Sequence, residues 1–214
     1  ARDGDPVDVL ERLQVHPLNP QPRLIRQAAE LIRKGGLVVY PTDSGYAFGW
    51  HIGDRDAAER LQRIRQTGKD HNFTLVCRDL SEIATYARIE NPTYRLLRAH
   101  TPGAYTFILR ATREVPRRLQ NPKQQTVGIR VPDHPVPLAL VAELGEPLMS
   151  SSLILPDHEL PLADPDDIHD ALANRIDLLI DSGNCGLEPT TVVDLTGDFP
   201  RLLRQGRGDA SAFV

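Results

Sequence analysis

The stretch YPTDSGYAFG, Tyr40–Gly49, sets hydroxyls on Thr42 and Ser44, a carboxylate on Asp43 and a phenol on Tyr46 in close succession. Gly45, Ala47 and Gly49 add little bulk, which permits tight backbone or the close approach of a ligand. Donors and acceptors of this kind grip a polar small molecule. A turn closed by carboxylate and hydroxyl hydrogen bonds uses the same residue types, and both readings stay open. The stretch lacks the lysine of a phosphate loop and the glycine spacing of a dinucleotide-binding turn.

A second group of cations stands in RIRQTGKDHNFTL, where Arg63 and Arg65 precede Lys69 and His71. Arginine forks suit phosphate or carboxylate, although a solvated helix end has the same composition. Arg130 lies inside the otherwise apolar TVGIRV, so it needs exposure or a partner. In PLMSSSLILP, strand alternation sends Ser150 and Ser152 to one face. In RLLRQGRG, Arg204 follows two leucines and is placed to point inward from a strand end. No Gly-x-Ser-x-Gly elbow is present, and the seven histidines form no His-Glu-x-x-His pair. Cys77 and Cys185 fit neither a metal-ligand nor a disulfide spacing, which leaves them as packing thiols. What remains is cations and hydroxyls near strand ends. That set fits phosphoryl or nucleotide chemistry carried by positioning and charge neutralisation, without a covalent intermediate.

These groups need a scaffold. A chain of 214 residues that is 40% hydrophobic buries one sizeable core. The net charge of -4 imposes no polyanion partner on the whole molecule. Residues 1–17 read as an N-terminal arm, with DVLERLQV as a short helical turn, and residues 18–214 as one domain. RLIRQAAELIRK places Leu24, Ala28, Leu31 and Ile32 on one helical face and stops at Gly35 and Gly36. Asp54 caps a helix in DRDAAERLQRIR, and Asn91 with Pro92 opens another in NPTYRLLRAH. PVPLALVAEL closes at Gly145, and DPDDIHDALA starts with acids that suit a helix N-terminus. LVVY, FTLVC, AYTFILR, TVGIRV, PLMSS, IDLLID, TVVDL and RLLRQ read as strands, with Pro41 ending the first. ATREVPRRLQNPKQQ reads as a basic connection with some helical character, and offers Arg117, Arg118 and Lys123 as a basic rim. Helices intermixed with consecutive strands predict a single α/β domain on a mixed parallel and antiparallel sheet. With neither a membrane-length apolar run nor a secretory leader, the expected location is cytoplasmic.

Taken together, these motifs identify the chain as similar to the YrdC-like family, and within it most similar to the YciO branch. The resemblance runs from about Leu18 to Phe213. YPTDSGYAFG resembles the family's Pro-Thr-Glu/Asp-Thr/Ser-x-Tyr-Gly-Leu-Gly signature, TPGAYTFIL its Pro-Gly-x-x-Thr-x-x-Leu segment, and VGIRVPDHP its Val-x-x-Arg-x-Pro-x-His-Pro stretch. PTTVVDLT and LLRQG stand at its Ser-Thr-Val-Val-Asp and Arg-Pro-Gly positions. The resemblance implies a twisted mixed-sheet domain of the YrdC/RibB-like kind with a concave, positively lined cavity. It implies threonylcarbamoyl-AMP synthesis from threonine, bicarbonate and ATP with Mg2+, in the service of tRNA t6A37 modification. It also implies, as an alternative, a double-stranded RNA- or tRNA-binding protein or a non-catalytic nucleotide binder.

On that resemblance, Arg63, Arg65 and Arg204 face phosphate. Thr42, Tyr46, Ser150 and Thr191 orient threonine or adenylate with Ser152 beside them, and Arg130 neutralises an anion or braces the pocket. Two positions depart from the family. Its Lys-x-Arg falls on Arg63-Ile64-Arg65, and its Ser-x-Asn falls on Ser152-Leu153-Ile154, where an apolar side chain replaces an amide. The sequence leaves the oligomeric state open.

Overall fold

In the computed structural model, residues 10–66, 73–156 and 161–214 are described. Ten strands form one sheet: β1 (Glu11–Gln14), β2 (Val38–Thr42), β3 (Gly45–His51), β4 (Thr74–Val76), β5 (Tyr105–Arg110), β6 (Thr126–Arg130), β7 (Leu148–Ser152), β8 (Leu178–Asp181), β9 (Thr191–Asp194) and β10 (Arg201–Arg204). Their order is β1-β8-β2-β3-β7-β4-β6-β5-β9-β10. The β1–β8, β8–β2, β4–β6 and β5–β9 pairs are parallel and the other five are antiparallel, so the sheet is mixed as expected.

Among the described residues six α-helices accompany it: α1 (Pro22–Arg33), α2 (Arg55–Arg65), α3 (Leu80–Tyr86), α4 (Asn91–His100), α5 (Pro135–Leu144) and α6 (Pro165–Leu172). Both sheet faces are buried. Val38 and Tyr40 of β2 join α1 and α5 in one cluster, whereas Val39 turns to the larger cluster holding Phe48, Trp50, Leu61 and Phe107. This two-sided burial is why the strands read as apolar runs instead of alternating patterns. Among the described residues, no helix is long and apolar enough to cross a membrane. Cys77 and Cys185 are unpaired, and burial pushes both thiols up, Cys185 to about 11.

Helix ends follow local chemistry. Asp54 Oδ1 accepts from Ala57 N at 2.9 Å, Asp164 Oδ1 accepts from Asp166 N at 2.8 Å, and Gly145 closes α5 at φ +69°. At α4 the cap is Glu90, one residue before Asn91, and its side chain makes no capping bond. Four expectations change. Within DVLERLQV, Asp8 and Val9 lie outside the described residues and Glu11–Gln14 form strand β1 instead of a helical turn, because they pair along Leu178–Asp181 and Arg12 bridges Asp166 and Asp181 at 2.8 Å. GYAFGWH, absent from the expected strands, forms β3. Pro41 sits within β2, beyond the end of its pairing with β8, which engages only Val38 and Val39. The helical character expected before Thr126 shrinks to one turn of 3-10 helix at Arg117–Leu119.

His134 caps α5 through its ring: Nδ1 accepts from Val136 N at 3.1 Å. Burial lowers its pKa, partly offset by Asp43 and Asp133. A histidine lowered in the folded state stabilises fully above its unfolded pKa of about 6.5 and loses that contribution as pH falls through the folded value. The melting temperature should therefore fall between pH 7.5 and pH 5.5. In His134→Asn, which keeps a capping oxygen that does not titrate, the fall should be smaller.

A hydroxyl-lined cavity as the candidate active site

The β2–β3 hairpin turns through Asp43 and Ser44. Thr42 Oγ1 donates to Gly45 O at 2.6 Å and accepts from Ser44 N at 3.0 Å, which closes the turn from inside. Gly45 has φ +110°, where L-side chains are strained, and its missing Cβ would meet Gly186 O at 3.1 Å. The loop after β8 therefore packs against the turn. Tyr46 fixes the same loop: its hydroxyl donates to Gly183 O at 2.6 Å and accepts from Ser182 N at 3.1 Å. Burial raises the pKa of this phenol, so it keeps the proton that it donates.

Asp43 is the node of the turn. Its Oδ1 pairs with Arg130 Nη2, its Oδ2 accepts from Asp133 N at 2.8 Å, and its carbonyl accepts from Arg207 Nη1. Arg130 also donates to Ser44 Oγ at 2.9 Å and to Gly103 O at 3.4 Å. Both side chains of the pair are 7% exposed. Arg130 Nε is buried with no hydrogen-bond partner among the described residues.

Around this turn lies a cavity of about 90 Å3. That is small beside the ~300–1,000 Å3 of drug-sized ligand sites, so it suits an amino acid or one end of a larger ligand. Thr42, Tyr46, Arg130, Ser150, Ser152 and Arg204 line it, as do Ser44, Thr74, Thr106, Ser151 and Thr190. Tyr40 donates to Ser150 Oγ at 2.6 Å, and Ser150 Oγ donates onward to Phe48 O at 3.0 Å. Burial pushes the Tyr40 phenol up to about 12, against the opposing effects of Ser150 and Arg130. Arg204 is held flat against Thr190, with Nε on its carbonyl at 3.0 Å and Nη2 on its Oγ1 at 3.1 Å. Thr190 Oγ1 also pairs with Thr106 Oγ1 at 2.8 Å. Arg204 is exposed, so it borders the cavity at its rim instead of pointing inward as expected, and partial desolvation lowers its pKa.

Other expected site residues lie outside the lining. Thr191 is fully buried, donating to Gly208 O at 2.6 Å and accepting from Gly206 N at 3.0 Å, while its neighbour Thr190 borders the cavity. Arg65 is half-buried, with Nη1 donating to Ser151 Oγ and Nε to Ile154 O at 3.2 Å. Burial lowers its pKa. Arg63 is exposed. Lys69 and His71 fall outside the described residues. Asp43 and Ser44 belong to the polar stretch read from the sequence, whereas Tyr40, Thr74, Thr106 and Thr190 carried no such signal. Threonine is a routine strand former, so its composition carries no site signal. Asp43 and Arg130 were separately visible as a carboxylate and as a cation needing a partner.

Beyond the cavity, an open groove is bordered by Arg110, Lys123 and Arg201, with Phe199 84% exposed beside them. Of the expected basic rim, Lys123 borders this groove, and Arg117 and Arg118 are exposed, with Arg118 Nη2 donating to Ile52 O at 3.4 Å.

A mixed-sheet α/β domain with a cavity walled by hydroxyls and arginines at a hairpin turn defines a class, and a family profile places it. Residues 30–206 match the Sua5/YciO/YrdC family, described as "Telomere recombination", and the chain belongs to that family. It is 54% identical to the uncharacterized protein YciO of Escherichia coli strain K12, over 94% of this chain and 97% of that one. The E. coli YciO crystal structure aligns with a TM-score of 0.92 at 53% identity, covering 96% of this chain and all 100% of the other. The threonylcarbamoyl-AMP synthase of Bacillus subtilis is 31% identical over 94% of this chain and 57% of its own length. Sua5 from P. abyssi, in complex with L-threonine, aligns with a TM-score of 0.83 at 26% identity, covering 91% of this chain and 57% of that one.

Proposed function

We propose that this protein makes an N-carbamoyl amino-acid adenylate from ATP, bicarbonate and an α-amino acid, in the manner of threonylcarbamoyl-AMP synthases. The observation that carries the reading is Arg204, fixed at the cavity by two bonds to Thr190, with Nη1 outside those bonds, in a chain with a synthase relative over 94% of its length.

The neutral amine attacks bicarbonate, an N–C bond forms, and water leaves. The carbamate oxygen then attacks the α-phosphorus of ATP. An O–P bond forms, the bond from the α-phosphorus to the bridging oxygen breaks, and pyrophosphate leaves with the electron pair. Arg204 neutralises phosphate charge, and the cavity hydroxyls orient the acid. Among the described residues no cluster of three metal-ligating side chains exists, and Asp43 is engaged by Arg130. Mg2+ accordingly fits as the companion of ATP, held chiefly by phosphates and water.

Ile154 borders the cavity where the family carries an amide. Loss of one buried polar partner costs about 1–3 kcal/mol, a rate or affinity penalty of about tenfold to over a hundredfold. Turnover with threonine should be correspondingly slow. Purified protein with ATP, Mg2+, bicarbonate and threonine should release pyrophosphate and give the adenylate by mass. Omission of any component should stop it, and Arg204→Ala should weaken ATP binding at least tenfold with melting unchanged. ATP bound with no amino-acid-dependent turnover would refute the synthase reading.

A second reading, RNA capture, is favoured by the outer groove, where Arg110, Lys123, Arg201 and exposed Phe199 offer phosphate and base contacts. Its signature is binding that weakens steeply with salt.

A further inference from the structure

Arg207 has no part in the synthase reading, yet it joins two stretches of the cavity wall. Its N–H donates to Pro189 O at 2.8 Å, and its Nη1 donates to Asp43 O. Pro189 lines the cavity, as do Thr42 and Ser44, the chain neighbours of Asp43 in the β2–β3 turn. Arg207 is exposed. Among the described residues it has no carboxylate partner, and the main-chain carbonyl of Asp43 is the hydrogen-bond partner of its guanidinium.

The segment that carries Arg207 is held firmly. The buried Thr191 Oγ1 accepts from Gly206 N at 3.0 Å and donates to Gly208 O at 2.6 Å, which grips the main chain on both sides of Arg207. The Tyr105 hydroxyl donates to Asp209 O at 2.9 Å, and a Cβ on Gly208 would lie 2.6 Å from the Tyr105 ring. Phe213 is buried, with its ring centroid 4.7 Å from that of His100. The turn is closed from within by Thr42, and the Asp43 carboxylate is taken by Arg130 and by Asp133 N. None of those bonds reaches the segment after β10. The bond from Arg207 to Asp43 O does, so it anchors the turn to a fixed point.

We infer that Arg207 is a positioning residue: through the Asp43 carbonyl it sets the place of the β2–β3 turn, and so of the Thr42 and Ser44 hydroxyls that meet the amino-acid substrate. This rests on the synthase reading, in which the cavity hydroxyls orient the acid and Arg204 neutralises phosphate. Orienting groups act only within a narrow range of positions, and a misplacement on the order of 1 Å costs about 10²-fold in rate. Arg207 itself touches neither substrate, because neither it nor Asp43 belongs to the lining. Its removal leaves the turn's internal bonds in place and frees the turn to shift as a unit. An exposed side chain with one such bond matters little to global stability, so the effect on the site separates from any effect on folding.

The test is pyrophosphate release by the full chain, with threonine and ATP varied in turn. Arg207→Met keeps an unbranched stem and removes the donors. It should raise KM for threonine about tenfold to a hundredfold and leave KM for ATP within about twofold, with melting unchanged. Arg207→Lys should recover most of the loss, since its ammonium still donates to a carbonyl. Should Arg207→Met fail to fold, Arg207→Gln, which ends in a shorter neutral amide, takes its place. Parent-like kinetics overturn the inference, and so does an equal rise in both KM values, which is the mark of a general structural role. If the unaltered protein releases no pyrophosphate, the synthase reading fails and hydrogen exchange across residues Thr42–Ala47 decides the rest. Faster exchange there in Arg207→Met, with the remainder of the chain unchanged, sustains the positioning role, and equal exchange removes it.

Discussion

Arg130→Ala should destabilise the protein by about 3–5 kcal/mol, the range for breaking a buried ion pair from one side. The magnitude follows from what is left behind. Asp43, 7% exposed in the intact pair, would lose the partner of its Oδ1 and keep the Asp133 N–H on Oδ2. Ser44 and Gly103 would also lose their Arg130 contacts. Arg130 already buries an unpartnered Nε, so the pair is not an optimum. The Arg130→Met/Asp43→Leu double variant should therefore recover part of the loss, because it removes both charges together. Urea unfolding of the three proteins measures this. A single variant within about 1 kcal/mol of the parent would show that the pair is solvated and does not hold the turn.

Gly206→Ala should carry the second large effect. A Cβ there would lie 2.3 Å from Pro189 O and 2.5 Å from Thr190 O. Both obstacles are main chain, so no rotamer change relieves them. Relief requires the start of β9 to move away from the segment after β10. That segment is tied to the Pro189–Thr191 stretch, by Arg207 N to Pro189 O at 2.8 Å and Gly206 N to Thr191 Oγ1 at 3.0 Å. Thr190 would shift relative to Arg204. We expect a loss of about 1–3 kcal/mol and weaker ATP binding. Gly145→Ala is the control: φ +69° strains it, yet its Cβ meets nothing within 4 Å. It should destabilise while leaving ATP affinity intact. Thermal melts and ATP titration of both separate the outcomes, and a Gly206→Ala protein that melts and binds like the parent defeats the account.

Helices were legible wherever a local residue fixes an end: Asp54 caps α2, Asp164 caps α6, and Gly145 closes α5. Long-range pairing was not. Nothing near Arg12 announces Asp181, so β1 looked helical. β3 was hidden by its small residues, which normally weaken a strand. They are needed there, since a Cβ on Gly49 would lie 2.9 Å from the Tyr40 ring. The site was half legible for the same reason. Thr42, Ser150, Arg130 and Arg204 stand out as polar groups near strand ends and do reach the cavity. At Thr190-Thr191 the sequence offers two equal hydroxyls, and one step of strand register decides which faces ligand. Arg65 shows the opposite limit: a cation visible in the sequence is spent on Ser151 and the Ile154 carbonyl.

The pairing of β1 with β8 has a consequence for biosynthesis. A ribosome makes Glu11–Gln14 early, but their partner Leu178–Asp181 emerges only after most of the sheet. β2 waits for the same strand, since β8 lies between the two. Until then the nascent chain carries two unsatisfied strand edges, which invite pairing with other chains. Such late, distant closure slows folding and prolongs that exposure. β1 is thus translated before most of the sheet and is secured only after β8.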